Sequence, residues 1–228
     1  VVALLQARMG SARLPGKAMR ILQGKPMIAH VIERVQAVRG VDEIVLATSE
    51  SERDAVLAEE GRSRGVKVFC GSDWDVLGRM AAAAMRYEAD VVLRLTGDCP
   101  LLCPFIVEDV LDVYKRLDGG AYVWNDVTRS GYSDGSDVEC FSAAMLYRAN
   151  RDVIDRTDRE HVSPWIRRAY TTFTVKTPRG EDYMRWKLSV DTARDFDFVA
   201  DVFAHLSPAS DFSFANTMRA VNRVIAGT

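Results

Sequence analysis

The sequence predicts a single α/β domain of three layers, in which helices cover both faces of a mostly parallel, Rossmann-like sheet. Two observations favour this class. Short apolar runs alternate with amphipathic segments along the first half of the chain, and the runs are largely apolar on both faces, as in covered strands. With 228 residues, 48% of them apolar and 27% charged, the chain can bury a full core without a disulfide or a structural metal.

Strands and helices alternate in the first half of the chain. Apolar or β-rich runs predict strands at Val1–Leu5, Glu43–Thr48, Val66–Cys70 and Val91–Leu95. Apolar residues at helical spacing predict helices at Pro26–Val38, Ser51–Arg64, Asp75–Tyr87 and Phe105–Leu117. Because helical crossovers join parallel strands, we expect a parallel sheet with ligands at the carboxyl ends of its strands.

The pattern is less regular after Gly119 and Gly120. Short strands are predicted around Tyr122 and Val138, at Phe173–Lys176 and at Lys187–Val190. Helices are predicted near Ala143–Asn150, Glu160–Arg168, Ala193–His205 and Ala215–Ala226. We expect this half to wrap the sheet, and one domain to span 1–228. A split near Asp118 is the competing boundary.

Composition and charge exclude several functional classes. The formal net charge is -2, which argues against a broad nucleic-acid surface and against binding to an anionic membrane. No apolar run approaches the roughly 18 residues that a membrane-spanning helix needs. The four cysteines form no CxxC pair, so we expect reduced thiols in a cytoplasmic protein. They are Cys70, Cys99, Cys103 and Cys140.

The loop after the first strand, Gln6–Lys17, predicts a phosphate-binding site. No carboxylate precedes Ile32, whereas five cations do: Arg8, Arg13, Lys17, Arg20 and Lys25. Glycines in this loop allow close approach of the backbone to a polyphosphate, and Arg and Lys bind its oxygens. Five residues separate Gly10 from Gly16, so neither the P-loop nor the GxGxxG pattern is present. A solvated basic turn is the alternative.

Two aspartates follow predicted strands and are candidate Mg²⁺ ligands. Asp98 comes directly after the fourth strand, at the end where such sheets bind ligands. Asp191 comes after a predicted short strand, and Thr192 with Asp195 matches a capping box that leaves Asp191 free. Mg²⁺ takes one or two protein carboxylates beside substrate phosphates, so two such residues suffice. Alternatively, Asp98 caps a turn and Asp191 caps a helix.

Further polar residues are candidates for substrate contacts. Asp134, Asp137 and Glu139 surround a glycine turn, and on an extended segment Asp137 and Glu139 share a face from which they can bind sugar hydroxyls. A plain turn before a strand is the alternative. Glu160 and His161 lie together on a predicted helix, where a histidine can contact a sugar acid or accept a proton, although a structural histidine is equally compatible.

Six segments, taken in order, resemble sugar-acid cytidylyltransferases, specifically the SpsF-like spore-coat polysaccharide branch of the acylneuraminate and Kdo enzymes. They are QARMGSARLPGK from Gln6, GSDWDVLGR from Gly71, RLTGDCPLL from Arg94, GYSDGSDVECFS from Gly131, REHVSPW from Arg159 and KLSVDT from Lys187. The resemblance covers most of the chain. It departs at Ser133, where the family more often has proline.

The resemblance implies a fold of the nucleotide-diphospho-sugar transferase type, with a nucleotide-binding part at 1–118 and a sugar-binding and dimerisation part at 119–228. It implies nucleotide contacts from Ala7, Arg8, Gly10, Ser11, Lys17, Arg79 and Gly97. It implies substrate contacts from Tyr132, Asp134, Asp137, Glu139, Glu160 and His161. It also implies Mg²⁺ at Asp98 and Asp191, and a homodimer. On the residues alone, Arg79 would be a solvated helix residue.

The predicted reaction is attack of a sugar-acid hydroxyl on the α-phosphorus of CTP, which gives a CMP-sugar for cell-surface polysaccharide or glycoconjugate synthesis. Arg8, Arg13 and Lys17 would stabilise the leaving pyrophosphate, with Asp98 as the fourth catalytic residue. One alternative is a metal-dependent nucleotide-sugar glycosyltransferase. Another is a nucleotide-binding relative without catalysis, because fold alone does not establish activity.

Overall fold

A seven-stranded sheet lies at the centre of the protein, and the structure, a computed structural model, describes residues 1–207 and 209–227. The strands in these residues are β1 (Val2–Gln6), β2 (Ile21–Leu22), β3 (Lys25–Pro26), β4 (Glu43–Ser49), β5 (Lys67–Gly71), β6 (Val91–Thr96), β7 (Tyr122–Trp124), β8 (Glu139–Ser142) and β9 (Thr172–Thr174). The large sheet has the order β5-β4-β1-β6-β8-β7-β9, and β2 and β3 form a separate hairpin.

Strand direction confirms the prediction of a mostly parallel sheet. Strands β5, β4, β1 and β6 are parallel, β8 pairs antiparallel with both β6 and β7, and β9 is parallel to β7. Within the seven-stranded sheet, as far as the structure describes it, β8 alone therefore runs against the other six strands. Gln6 of β1 lies opposite Ala47 and Thr96, so the carboxyl ends of three parallel strands meet at one edge.

Helices cover both faces of the sheet. They are α1 (Met27–Gln36), α2 (Ala55–Ser63), α3 (Val76–Arg86), α4 (Pro104–Arg116), α5 (Ala143–Asp152), α6 (Arg156–His161), α7 (Pro164–Ala169), α8 (Ala193–Ala204) and α9 (Phe214–Ala226). Side chains alternate along β1, so Ala3 and Leu5 pack with α1 and α4, whereas Val2 and Leu4 pack with α3 and α5. This alternation explains why the strand is apolar on both faces.

A third apolar cluster fixes the loop that follows β1. Leu14 of the loop and Met27 of α1 pack against Val199 of α8 and Val221 of α9. The two C-terminal helices thereby hold the basic N-terminal segment in place. None of the helices in the described ranges is long and apolar enough to cross a membrane.

The second half of the chain contributes strands to the main sheet, so the expectation that it only wraps the sheet is wrong. Strand β8 lies directly beside β6, and its neighbours Cys140 and Phe141 are fully buried on opposite faces. A strand of four residues can enter the sheet because both of these apolar side chains find a covered face. Its antiparallel direction carries the preceding acidic turn to the carboxyl end of β6.

Two predicted elements differ from the structure. The helix predicted at Glu160–Arg168 is interrupted at Val162, which has φ 70°, and α7 restarts at Pro164, which cannot donate a helical hydrogen bond. The segment predicted as a strand at Lys187–Val190 forms no regular strand. Instead, the backbone N–H of Leu188 donates to the Asp134 carbonyl at 2.7 Å.

The sequence also gave no prediction for the β2–β3 hairpin. Its strands are two residues long, and Gln23 and Gly24 between them have φ of 47° and 84°. Positive φ at both turn residues matches the two-residue hairpins that favour glycine. The element is too short to produce a periodic apolar pattern.

Candidate active site

Two adjoining cavities lie at the carboxyl ends of β1 and β6. The first has a volume of about 360 Å³ and is lined by the loop after β1, by Gly97 and by the α6 residues Glu160 and His161. The second has a volume of about 230 Å³ and is lined by Arg94 and a group of carboxylates. Thr96, Asp98 and Asp191 line both cavities. The site therefore has two chambers that meet at these residues.

A buried carboxylate positions the loop after β1. Asp54 is 0% exposed, and its oxygens accept hydrogen bonds from the backbone N–H of Met9 at 2.8 Å and from the N–H and hydroxyl of Ser49 at 3.2 and 2.5 Å. The loop then turns back, because the N–H of Gly16 donates to the Met9 carbonyl at 3.0 Å. Gly16 has φ 72°, a conformation that suits glycine.

Close backbone approach accounts for Gly97, whereas the nearest neighbour of Gly10 is a flexible side chain. A Cβ atom on Gly97 would lie 2.7 Å from the Cβ of Ala7, because the N–H of Gly97 donates to the Gln6 carbonyl at 2.8 Å. A Cβ atom on Gly10 would lie 2.7 Å from the Arg53 guanidinium. Gly97 thus lets the end of β6 pack tightly beside the end of β1, where Asp98 follows.

The Lys17 ammonium joins the two aspartates of the site. It lies 3.0 Å from Asp98 Oδ2, 3.3 Å from Asp191 Oδ1 and 2.6 Å from the Val190 carbonyl, and its side chain is 12% exposed. The N–H of Val190 in turn donates to the Asp98 carbonyl at 2.8 Å. The structure therefore brings together two carboxylates that lie far apart in the sequence.

Asp191 is surrounded by positive charge. Besides Lys17, it contacts Arg13 at 2.8 Å and Lys187 at 2.9 Å. Burial acts to raise the pKa of Asp191, but the Lys187 hydrogen bond and the Lys17 charge outweigh it and hold the pKa below its ordinary value. The predicted capping box is present, since Thr192 and Asp195 exchange hydrogen bonds at the start of α8.

Carboxylates dominate the second cavity. Asp134, Asp137 and Glu139 line it together with Asp98 and Asp191, and Arg94 is the cation among its lining residues. Arg94 donates to Glu139 at 2.8 Å, and its remaining hydrogen bonds go to Gln6.

Asp137 has the most perturbed carboxylate among the lining residues of the second cavity. Burial, reinforced by the charges of Asp134 and Glu139 and opposed by the Gly135 N–H, raises the pKa of Asp137 to about 6. The side chain of Asp134 makes no hydrogen bond or ion pair with the described part of the chain. The second cavity therefore offers carboxylate oxygens that are available to a ligand.

Glu160 and His161, which the sequence makes candidates for substrate contacts, line the first cavity and not the second. Glu160 approaches Arg8 at 3.6 Å, and Arg8 also donates to the Asp73 carbonyl at 2.9 Å. Both residues lie near the loop after β1 because the adjacent Arg159 is anchored by an ion pair to Asp75.

The remaining predicted site residues divide into two groups. Ala7, Gly10 and Ser11 line the first cavity with the residues named above. Two others line neither cavity. Tyr132 is 3% exposed and packs against Phe214, with ring centroids 5.5 Å apart. Arg79 is 1% exposed and lies beneath the turn that precedes α3.

Arg79 is a buried cation without a salt bridge among the residues described. One of its nitrogens, Nη1, donates to the Ser72 carbonyl, while Nε and Nη2 have no partner. Burial, together with the nearby charge of Arg8, lowers the pKa of Arg79. Its position supports the turn next to Arg8, and it does not reach the first cavity in this conformation.

Sequence reasoning missed four residues that organise the site. Asp54 holds the loop after β1, and Asp73 holds the Arg8 side chain. Lys187 forms an ion pair with Asp191, and Arg94 lines the second cavity. Arg94 had a recognisable signal, since it is the charged residue within the otherwise apolar run Val91–Leu95. Asp54 lies in a predicted helix, and Asp73 and Lys187 lie in segments that carry the family resemblance, but no spacing rule distinguishes these side chains from solvated ones.

A family model described as cytidylyltransferase matches residues 2–222. The chain belongs to the cytidylyltransferase family. The match covers both halves of the chain, including the loop after β1 and the turn at Asp191. It confirms the family that the six sequence segments predicted.

Several relatives agree with membership of the cytidylyltransferase family. The spore coat polysaccharide biosynthesis protein SpsF of Bacillus subtilis is 27% identical over 234 residues, which cover 98% of this chain and 94% of SpsF. A cytidylyltransferase structure from Leptospira borgpetersenii serovar Hardjo-bovis matches with a TM-score of 0.92 and 27% identity, covering 99% of this chain and 95% of that chain. The 8-amino-3,8-dideoxy-manno-octulosonate cytidylyltransferase of Shewanella frigidimarina is 35% identical over 120 residues, 52% of this chain and 49% of that protein.

Proposed function

We propose that this cytidylyltransferase transfers the CMP group of CTP to a hydroxyl of a sugar acid and releases pyrophosphate. The observation that carries the proposal is that the two cavities meet at Asp98 and Asp191. A nucleotide in the first cavity and an acceptor in the second would face each other there. Two relatives support the substrate class, since one is named for an octulosonate and the other for spore coat polysaccharide synthesis.

The first cavity suits a triphosphate. Arg8, Arg13 and Lys17 line it, together with Gly10, Ser11 and Ala12 of the loop between them. Charged hydrogen bonds from Arg and Lys to phosphate are stronger than neutral ones, particularly where water is partly excluded. These cations would stabilise the charge that develops on pyrophosphate as it leaves.

Asp98 and Asp191 fit a Mg²⁺ ion. Both are hard oxygen donors, and a cation, the Lys17 ammonium, already lies between them. The described residues contain no cluster of three or more His, Cys, Asp and Glu suited to an all-protein metal site. Mg²⁺ does not need one, because it keeps waters and substrate phosphates among its ligands. When bound, Mg²⁺ would neutralise phosphate charge and make the attacking hydroxyl more acidic.

The reaction needs positioning and charge stabilisation by the protein, and no covalent intermediate. The acceptor oxygen forms a bond to the α-phosphorus while the bond to the bridging oxygen breaks, and pyrophosphate leaves with the electron pair. The hydroxyl proton needs an acceptor. His161 is a secondary candidate base, because it lines the first cavity, which meets the acceptor's cavity at Thr96, Asp98 and Asp191.

The second cavity suits a polyhydroxylated acceptor. Asp134, Asp137 and Glu139 present carboxylate oxygens that can accept hydrogen bonds from sugar hydroxyls. The product would be a CMP-sugar for cell-surface polysaccharide or glycoconjugate synthesis. A cytoplasmic location, a homodimer and the absence of a nucleic-acid partner stay predictions from the sequence.

Pyrophosphate release tests the proposal. The purified protein is incubated with CTP, MgCl₂ and a panel of eight- and nine-carbon sugar acids. We expect release that depends on CTP, metal and one acceptor class, and that falls by about 100-fold or more in Asp98→Asn, as for loss of a transition-state charge contact. Asp201→Asn, an exposed position on α8, is the matched control.

Two outcomes would redirect the assignment. Thermal stabilisation by a UDP-sugar and none by CTP would favour the glycosyltransferase alternative, because a ligand that binds the folded state raises its melting temperature. CTP binding without pyrophosphate release for any acceptor would favour a relative without catalysis. Unchanged turnover in Asp98→Asn would remove that residue from the mechanism.

A further inference from the structure

The Lys17 ammonium has no N–H group left for a phosphate in the conformation described. An ammonium has three donors. Here they face three oxygens, from Asp98, Asp191 and the carbonyl of Val190, at 2.6 to 3.3 Å. A lysine that serves a triphosphate must release these partners first. In the described conformation Lys17 is therefore bonded to protein oxygens alone.

The three oxygens around Lys17 are also the ligand type that a divalent ion prefers. Carboxylate and carbonyl oxygens are hard donors, and two of them belong to the aspartates proposed to hold Mg²⁺. The ammonium and a metal ion cannot occupy the same space, and their charges repel. A metal that arrives alone must displace Lys17 and leave its ammonium without a counter-charge.

We infer that Lys17 is a placeholder cation, which occupies the metal position until a divalent ion and a triphosphate displace it together. The inference rests on the proposed function and concerns the same site. The metal would take the carboxylates, and the triphosphate would take the released ammonium. Each ligand thus removes the cost that the other meets when it binds alone, which is a positive coupling between the two.

Lys187 provides an internal comparison for Lys17. It carries the same charge and contacts the same aspartate, with its Nζ atom 2.9 Å from Asp191 Oδ2. Its Nζ atom is also 2.8 Å from Asp195 Oδ2, and Asp195 is fixed by the α8 cap. Lys187 can therefore stay in place when a metal binds. Removing Lys187 deletes one positive charge beside Asp191 without vacating the space between the two aspartates.

Metal binding in the absence of nucleotide tests the inference. The free Mn²⁺ signal is followed by electron paramagnetic resonance during titration of the wild-type protein, Lys17→Met and Lys187→Met. We expect Lys17→Met to bind Mn²⁺ more tightly than wild type by about 5-fold or more, the lower range of a typical site-to-site coupling. Lys187→Met should gain less, because it relieves only charge repulsion. An unchanged affinity in Lys17→Met, or equal gains in both variants, would overturn the inference.

A reciprocal measurement does not depend on the folding of Lys17→Met. CTP binding is measured by calorimetry in excess EDTA for wild type, Asp98→Asn and Asp134→Asn. Asp98→Asn frees Lys17 from one carboxylate, so we expect tighter binding of metal-free CTP than in wild type, by about 5-fold or more, the lower end of the usual range of coupling. Asp134 lines the second cavity and does not contact Lys17. Equal effects in the two variants would contradict the inference.

The same titrations separate this inference from the proposed function. Suppose that wild type binds Mn²⁺ in the presence of CTP, but that Lys17→Met binds Mn²⁺ no more tightly than wild type when CTP is absent. The placeholder role then fails, and the proposed metal site stands. If Mn²⁺ binds neither protein, with or without CTP, the proposed metal site itself is wrong and the inference fails with it.

Discussion

Asp54 connects the loop after β1 to the end of β4, and its removal tests how that loop is positioned. The carboxylate is fully buried and accepts hydrogen bonds from the N–H groups of Met9 and Ser49, as well as from the Ser49 hydroxyl. In Asp54→Ala both N–H groups lose their acceptor. Each unsatisfied buried donor costs about 1–3 kcal/mol, so we expect unfolding free energy to fall by about 2–6 kcal/mol.

The thermal consequence follows from the chain length. For a domain of this size, each kcal/mol shifts the melting temperature by about 2–4 °C, which makes the effect of Asp54→Ala readily measurable by differential scanning calorimetry. The affinity for CTP should fall as well, because the loop after Met9 carries Gly10 and Ser11 into the first cavity.

A surface aspartate serves as the control for Asp54→Ala. Asp112 is exposed on α4, where substitutions such as Asp112→Ala usually change the unfolding free energy by less than about 0.5 kcal/mol. If Asp54→Ala melts within a degree or so of Asp112→Ala and binds CTP normally, the loop is held by something other than this carboxylate, and the reasoning is refuted.

Three further predictions concern the walls of the site. Burial raises the pKa of Asp137 to about 6, so its ionisation costs stability as pH rises through that value. Asp137→Asn should therefore melt higher than wild type at about pH 8 and equal to it near pH 4; a constant difference between the two pH values would argue against this. The Lys187 hydrogen bond, against the effect of burial, lowers the pKa of Asp195 to about 2. Asp195→Asn should destabilise the protein at about pH 7, and the deficit should shrink as pH falls from about 4 towards 2; a deficit independent of pH would show that the charge is irrelevant. Gly135→Ala would place a Cβ atom 2.5 Å from the backbone of Leu188 at φ 98°, so we expect a lower melting temperature and weaker acceptor binding with CTP affinity retained. Wild-type stability in Gly135→Ala would show that the turn can move.

The parallel half of the fold could be predicted because its signals are local. The run at β1 alternates between two buried faces, and each crossover helix carries its own apolar stripe. β8 was harder to place, since its direction and position beside β6 depend on long-range pairing of four residues. The break at Val162 could have been predicted, because Pro164 removes a backbone donor inside the helix expected at Glu160–Arg168.

The site was predictable where a residue follows a strand. Asp98 follows β6, and the structure places the Lys17 ammonium in contact with both Asp98 and Asp191. The two predicted metal ligands and one predicted phosphate ligand therefore lie together. The roles of Tyr132 and Arg79 came from family resemblance, and their side chains pack away from both cavities. Whether a side chain on a short irregular segment faces a cavity depends on tertiary packing, which no spacing rule in the sequence encodes.

The division of the site into two chambers has an evolutionary consequence. Of the residues described, three line both cavities: Thr96 ends β6, Asp98 follows it, and Asp191 precedes α8. The turn around Gly135 and the acidic side chains on it belong to one chamber alone. If the first cavity holds the nucleotide and the second the acceptor, as proposed, mutations in that turn would change the acceptor and leave the nucleotide site intact, so acceptor choice could diversify among descendants that keep the same donor.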